Sequence, residues 1–518
     1  MAKNKACMII SVLAGILAMT VGFAVNSVNY NISSLILLVS AVCLYLFIVL
    51  GVAERNWLDI RAIFAGVWLG TIGLATFRFA GYQKQWQTET WIIIMLAYAA
   101  FQIGATLGIN GGRKWYPVVR KKMSGLKLGH MRFELQENRL FSICVIVTLI
   151  GLACFSINVA IKGFIPCFSD DVNAYKVFYT KFHIFSTAAT SVSGLCYYCI
   201  RTQKLKLWKR IVLLLCIFYL VFAFPIMVVS RGVFIVVALS LAVSVFYMHK
   251  KKLGALILCL IVILGVYAGT SYLRNYTDGQ LKVFFNATQP TDPPAEPTIP
   301  TESTVPTEGT EPTAPTEGTE PTAPTEGTEP TAPTEGTEPT EPMNPTEPVT
   351  PGDPQDQKPL LELSPKMLFL YGYLTVSHDN LNEAVLHLQE HTWGIRQLKP
   401  FNVILRNPWI EEKNEEAEYY QVNPYLNTTN LIGDFYYDFG MVGVGVFMLL
   451  WAIVFGIIQS VYECGKGPFA LLALGNTMTP VALSFFSSWL SGFNFWMFWG
   501  VALLLAIAAC LIFEHRRQ

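Results

Sequence analysis

Arg231 lies in the run FPIMVVSRGVFIVV, with no other charged residue for about twenty positions on either side. Setting an arginine that close to hydrocarbon costs a few kcal/mol or more, so such a residue is a functional candidate by default. Its planar fork suits two oxygens of one phosphate; a purely structural arginine there would snorkel to the interface. Gly232 beside it would permit a tight turn or a close ligand approach. Arg274, in TSYLRNYTDG, closes another apolar run, and Arg396 and Arg406 share the stretch IRQLKPFNVILRNPW. These four arginines are the candidates for binding phosphate oxygens. The candidates for moving a proton are His378 in LTVSHDNLNEAVLHLQEH, and Asp434 and Asp438 in NPYLNTTNLIGDFYYDFGMVGVGVF. Any of them, or Asp379 beside His378, could orient or deprotonate a hydroxyl within hydrogen-bond reach. The reading leans towards His378 over Asp434 as the base, with Ser377 capping the helix that carries the histidine.

Those residues must be held by apolar segments. Charged residues are 14% of the 518 and the hydrophobic set 53%, against roughly 25% charged in an ordinary soluble domain. Long apolar runs of membrane-spanning length fall at about 6–25, 34–53, 60–80, 91–110, 140–160, 184–200, 211–229, 233–248 and 253–271, then at 437–459, 468–487 and 491–513. The first run is too long, and too quickly followed by the second, to read as a cleaved signal. The chain is therefore expected to be an all-α polytopic membrane protein of about twelve transmembrane helices. Basic clusters at 113–139, 201–210, 250–252 and 516–517 each follow an even-numbered span. Since Lys and Arg stay in the cytoplasm, both termini are expected inside and a large loop from 272 to 436 outside. Trp86, Trp91, Trp489 and Trp496, near helix ends, read first as interface anchors.

Residues 1–271 thus hold nine spans and 437–518 three more, with the outer loop between them. Within that loop, 272–289 lead into a Thr/Pro/Glu segment at 290–357, where TEGTEPTAP repeats from Thr307, Thr316 and Thr325. That unit has almost nothing apolar to bury, and its composition predicts a disordered, extended spacer. Residues 358–436 return to aromatic-rich, folded composition. Of the eleven cysteines only Cys196 and Cys199 stand three apart, in an apolar segment where they read as small helix-packing residues, and no His/Cys cluster with metal spacing accompanies them, so no metal is expected. Nor does anything point to a nucleic-acid partner.

Three stretches, VVSRGVFIV at 228–236, IKGFIPCFSDD at 161–171 and NTTNLIGDFYYDFGMVGVG at 427–445, resemble the Wzy-type oligosaccharide repeat-unit polymerases of O-antigen and capsule synthesis. The order of elements is similar too: an SRG turn, a large outer loop, then a DFG entry to a late helix. The spacer departs from the pattern. The resemblance implies a C-type glycosyltransferase related to the O-antigen ligases, acting on the outer face of the bacterial cytoplasmic membrane. Its substrate would be oligosaccharide carried on undecaprenyl pyrophosphate; it would use neither metal nor cofactor, and its partners would be membrane lipid, a flippase and a chain-length regulator. Arg231 and Arg274 would take the pyrophosphate. A ligase sharing this donor, or a transporter, are the competing readings. The transporter is disfavoured because the polar residues concentrate outside rather than at mid-membrane.

Overall fold

The computed structural model describes residues 2–125, 137–169, 174–249, 254, 363–417, 419–422 and 428–514. All belong to one compact unit; the second unit, Thr291–Gln357, is the spacer and lies outside the described residues. No strand occurs among the described residues. In lipid every backbone polar group must be satisfied within the protein, and helices do so along their length.

We number the main helices α1 Ala2–Asn26, α2 Tyr30–Phe47 (extended by a wide turn, Ile48–Val52), α3 Ile60–Ala75, α4 Thr88–Gly125, α5 Glu137–Lys162, α6 Lys181–Ala189, α7 Ser193–Thr202, α8 Leu207–Phe218, α9 Arg231–Met248, α10 Pro365–His387, α11 Ile395–Leu405, α12 Pro408–Glu416, α13 Leu431–Gly465, α14 Pro468–Ala482 and α15 Phe493–Glu514. Several starts are fixed by side chains that accept from the first free backbone N–H groups. Asn29 serves Ile32, Ser230 serves Val233 and Asn430 serves Gly433.

Among the described residues six helical segments are long and apolar enough to cross a membrane: Ala6–Asn26, Tyr30–Val52, Thr88–Lys122, Arg139–Lys162, Leu207–Met227 and Leu431–Gly465. Ile60–Ala75, Gly232–Met248 and Phe493–Ala508 are apolar but shorter. The chain is a polytopic, all-helical membrane protein; twelve spans are not reached among the described residues, and the expected span at 253–271 lies outside them apart from Gly254. The run expected at 184–200 is divided between α6 and α7 by a tight turn at Thr190–Val192. The run expected at 468–487 ends at Ala482, two residues after Pro480, and the chain continues through a short turn at Trp489–Ser491. That break matters, because the turn forms one wall of the site below.

The axis of the fold is the pair α4 and α13. Gly104 and Gly108 sit one turn apart on α4, where a side chain would overlap the carbonyl oxygens of Leu449 and Ile453. Their absence of side chains lets two long helices approach at the backbone, as small residues do in membrane interfaces. The main apolar core spreads from this seam to α3 and α10.

Two expectations are corrected. Ser377 and His378 are not at a helix start: α10 begins at Pro365, directly after Ser364, and the Ser377 hydroxyl donates to the Phe485 carbonyl. The apolar residues from Met367 to Tyr373 extend the helix upstream of them. Trp86 and Trp91 are not interface anchors but buried core residues, because the Trp86 indole has a partner inside, the Asp379 carboxylate at 2.8 Å.

Candidate functional site

The site is built where the first two turns of α13 meet α11. Asp434 and Asp438 lie inside α13, since the helix starts at Leu431 rather than at the expected 437. They are four residues apart, so they share a face. Immediately after Asp438 the helix breaks: Gly440 has φ 63° and ψ −158°, a backbone state open essentially to glycine alone. The kink separates a two-turn polar segment from the apolar span.

Asp438 organises the neighbouring helix. One of its carboxylate oxygens accepts from the backbone N–H of Arg396 at 3.1 Å and from the Thr392 hydroxyl; the other accepts from the N–H of Gln397 at 3.1 Å. It therefore supplies the N-terminal cap that α11 lacks in its own sequence, where Gly394 precedes the first helical residue in a left-handed conformation. A carboxylate there also opposes the positive end of the helix dipole. The backbone carbonyls of Tyr437 and Asp438 accept from the N–H groups of Thr392 and Trp393 at 2.9 and 3.0 Å. The start of α11, and with it Arg396, is thereby fixed on α13.

Arg396 is almost wholly enclosed. Its guanidinium carbon stands 3.6 Å from the ring centre of Tyr437 and 3.9 Å from that of Tyr419, so two aromatic faces sandwich it. One terminal nitrogen reaches Asp434 at 3.3 Å. The other, and Nε, are buried with no hydrogen-bond partner. The Trp489–Ser491 turn packs against α11; its Trp489 indole N–H is likewise buried and unpartnered. Ser488 and Ser491 face Asp434. Buried polar groups are normally satisfied. The unfilled groups here all carry hydrogens to donate, and what a set of buried donors lacks is an acceptor.

No protein-family model matches the chain, and no curated protein or solved structure does either.

The remaining residues singled out from sequence fall as follows. Arg231 opens α9 directly after a sharp turn in which Val229 has φ 51°, a left-handed state that is strained for a β-branched residue. A side chain at Gly232 would come within 4.0 Å of the Trp489 ring. The turn expected near 230 is thus present, but Val229 rather than Gly232 adopts the unusual backbone, and the start of α9 lies beside the wall of the site. The Arg231 side chain and the whole of Arg274 lie outside the described residues. Arg406 is exposed at the far end of α11, ten residues and about 15 Å of helix rise from Arg396, so these two arginines do not converge.

His378 is fully buried against α3. Its Nε2 pairs with the Thr71 hydroxyl at 2.9 Å, and its ring packs on Trp68 and Trp86. Burial pulls its pKa down to about 3, so it is neutral. Asp379 accepts from Gln83 at 2.9 Å and from Trp86; burial raises its pKa to about 7, against the pull of those two donors and of Arg78. This cluster ties α10 to the segment between α3 and α4, and the geometry does not bring it onto Arg396. Among the described residues no group of three or more His, Cys, Asp or Glu is placed to hold a metal ion.

Sequence reasoning missed Tyr419, Tyr437 and Ser488, and took Trp489 for an interface anchor. Nothing marked the two tyrosines among 22 in the chain, and the apolar run at 468–487 hid the turn that presents Ser488.

Proposed function

We propose that the chain polymerises oligosaccharide units carried on undecaprenyl pyrophosphate, at the membrane face that bears α10–α12. The observation that carries the reading is the enclosed Arg396 with two nitrogens unfilled, beside the Trp489 indole N–H, which also lacks an acceptor. A diphosphate supplies several strong acceptors and the negative charge that an enclosed guanidinium favours. The position supports a lipid-linked ligand, because Arg396 is clamped to the first turns of a helix of membrane-spanning length.

The chemistry follows from charge. The acceptor hydroxyl forms a bond to the anomeric carbon of the donor glycan while the bond from that carbon to the pyrophosphate oxygen breaks, and the leaving pyrophosphate takes the electron pair. Arg396 opposes the charge that develops on its oxygens, as preorganised donors do in a partly dry site. Asp434, which shares the site with Arg396, receives the hydroxyl proton. Asp438 holds α11 in place, since both its oxygens are already engaged.

The test is the length distribution of surface polysaccharide in a strain lacking this gene, complemented with the native chain or with Arg396→Ala. Single lipid-linked units in the deletion and in the variant, with long chains in the native complement, support the reading. Long chains in the deletion remove it. Full-length polymer that stays unattached to its final acceptor in the deletion points to the ligase.

A further inference from the structure

α11 is too short to cross a membrane, and its outer end has nothing covering it among the described residues. Its final turn is continuously apolar and outward-facing: Val403 is 50% exposed, Ile404 67% and Leu405 59%. Leu398, one heptad before Leu405 and so nearly on the same side of the helix, is also exposed. Two residues follow, Arg406 and Asn407, and then α12, whose second residue, Trp409, is 52% exposed. The helix that begins on a buried arginine therefore ends in an apolar tip flanked by Arg406 and Trp409, the two kinds of residue that settle at a membrane interface.

The rest of the fold says what lies against that tip. The start of α11 is pinned to the first turns of α13 through Asp438, and midway along it the Phe401 ring packs at a tilt, 4.9 Å centre to centre, on Trp496 in the first turn of α15. Both neighbours are apolar helices, one long enough to span and one shorter. They present outward apolar side chains of their own, Val442 and Val446 on α13 and Leu503 and Leu504 on α15. α11 is thus held level with the ends of membrane helices rather than projecting into water. Beyond the tip, α12 turns polar, with Glu411, Glu412 and Glu415 exposed or half-exposed.

We infer that the tip Val403–Ile404–Leu405, with Leu398 and Trp409, is seated in the phospholipid leaflet on the face that bears α10–α12, with α11 lying at the interface and α12 in water. Amphipathic interfacial segments bury their apolar side roughly 5–10 Å beyond the headgroup boundary. The seat fixes the depth of Arg396, at the other end of the same helix, near the phosphate layer of that leaflet. Arg406 is then an anchor at the headgroups. The inference stands on the exposed tip and the helix ends, and holds whether or not the chain is a polymerase.

The test uses the full chain in phospholipid nanodiscs, with nitroxide on Ile404→Cys in a form in which Cys43 and Cys464, the exposed thiols among the described residues, are serine. Leu504→Cys and Glu412→Cys are the lipid and water references, and the form without an added cysteine supplies the background. Collision with oxygen should exceed collision with a water-soluble nickel chelate at Ile404, as at Leu504, giving a depth of about 5–10 Å, while Glu412 shows the reverse. Nickel access at Ile404 matching Glu412 overturns the inference. So does protection from both probes, which would mean that protein covers the tip. Loss of oxygen access only on adding a polyprenyl pyrophosphate overturns it as well, because the tip would then be a seat for the substrate's isoprenoid chain.

Discussion

A buried arginine–aspartate pair meets α13 near each of its ends, and the two pairs are built differently. Near its C-terminal end, Arg61 places Nε and one terminal nitrogen on the two oxygens of Asp59, both at 2.8 Å, and its other terminal nitrogen reaches Thr106. Gln459 of α13 donates to Asp59 at 3.0 Å and to Glu463 at 2.8 Å, and Arg113 closes the chain on Glu463 at 2.7 Å. Each donor there has found its acceptor. Near the N-terminal end, Arg396 has one contact at 3.3 Å to Asp434 and two nitrogens without any. Asp434 and Gln459 are 25 residues apart, about 37 Å of helix rise, which is of the order of a bilayer. The closed network joins α3, α4 and α13. The open one keeps donors in reserve under two tyrosine rings, an arrangement that costs free energy unless a ligand completes it.

The largest break in this comparison comes from Arg396 itself. Arg396→Ala leaves the buried Asp434 without its counter-charge, which typically costs about 3–5 kcal/mol, and polymer should be lost. Arg396→Lys separates the two effects. It keeps the charge near Asp434 but removes the fork and the flat surface that stacks on Tyr419 and Tyr437. The lysine variant should insert and unfold close to the native temperature yet make only short glycan. Normal chain length from it would show that bidentate binding is not what Arg396 contributes.

Replacing each pair by apolar residues sharpens the contrast. Removing both partners of a buried ion pair is often neutral or stabilising by about 1–4 kcal/mol. Asp59→Leu with Arg61→Met should therefore leave both unfolding temperature and polymer length near native. Arg396→Met with Asp434→Leu should match it in stability and make no polymer. If the two double variants behave alike in both assays, the open and closed pairs do not differ in role.

The sequence carried this contrast unevenly. The helical, membrane-embedded class was plain from apolar runs and clustered charge; Asp434 and Asp438 stood out at the edge of such a run, and Arg396 as one of two arginines in the outer-loop stretch before it. Their grouping was not legible, because it depends on Asp438 reaching across to cap α11, a contact 42 residues away in sequence. His378 looked accessible as a helix-start residue, but α10 runs twelve residues further upstream than its polar cluster implies, which turns the histidine into the core. The glycine pattern at Gly104 and Gly108 was in plain view, yet only the facing carbonyls of α13 show what it is for. Asp59 and Arg61 drew no notice, since two neighbouring opposite charges look like any loop.

Asp379 is a carboxylate of intermediate kind, held by two neutral donors with its cation, Arg78, not in direct hydrogen-bond contact, and its behaviour with pH follows. Its pKa rises from 3.8 to about 7 on folding because burial disfavours the anion. The folded state therefore holds this proton more tightly than the unfolded chain. Its contribution to stability is fully present below about pH 4 and is lost as the pH climbs through 7. At about 1.36 kcal/mol per unit the upper limit is about 4 kcal/mol. Thermal unfolding in detergent between pH 4 and 7.5 should show that slope, and Asp379→Asn should flatten it. A slope that survives in the asparagine variant would assign it to another group.

Gly440→Ala is the smallest of these perturbations and the most local. With φ 63° and ψ −158° a side chain is strained, and its Cβ would stand 2.8 Å from Nε2 of His391; a cost of about 1–3 kcal/mol is expected. The kink is what lets Asp434 and Asp438 face α11 while the rest of α13 follows α4. Relief of the strain should shift the two polar turns and leave the far end alone. Amide hydrogen exchange should therefore quicken over 431–439 and over the start of α11, with no change around Gln459 and Glu463. Faster exchange at both ends would mean that α13 transmits the strain along its length, and that the open and closed pairs are coupled rather than independent. Unchanged exchange at 431–439 would mean the polar turns are held by α11 alone, through Asp438, without help from the glycine.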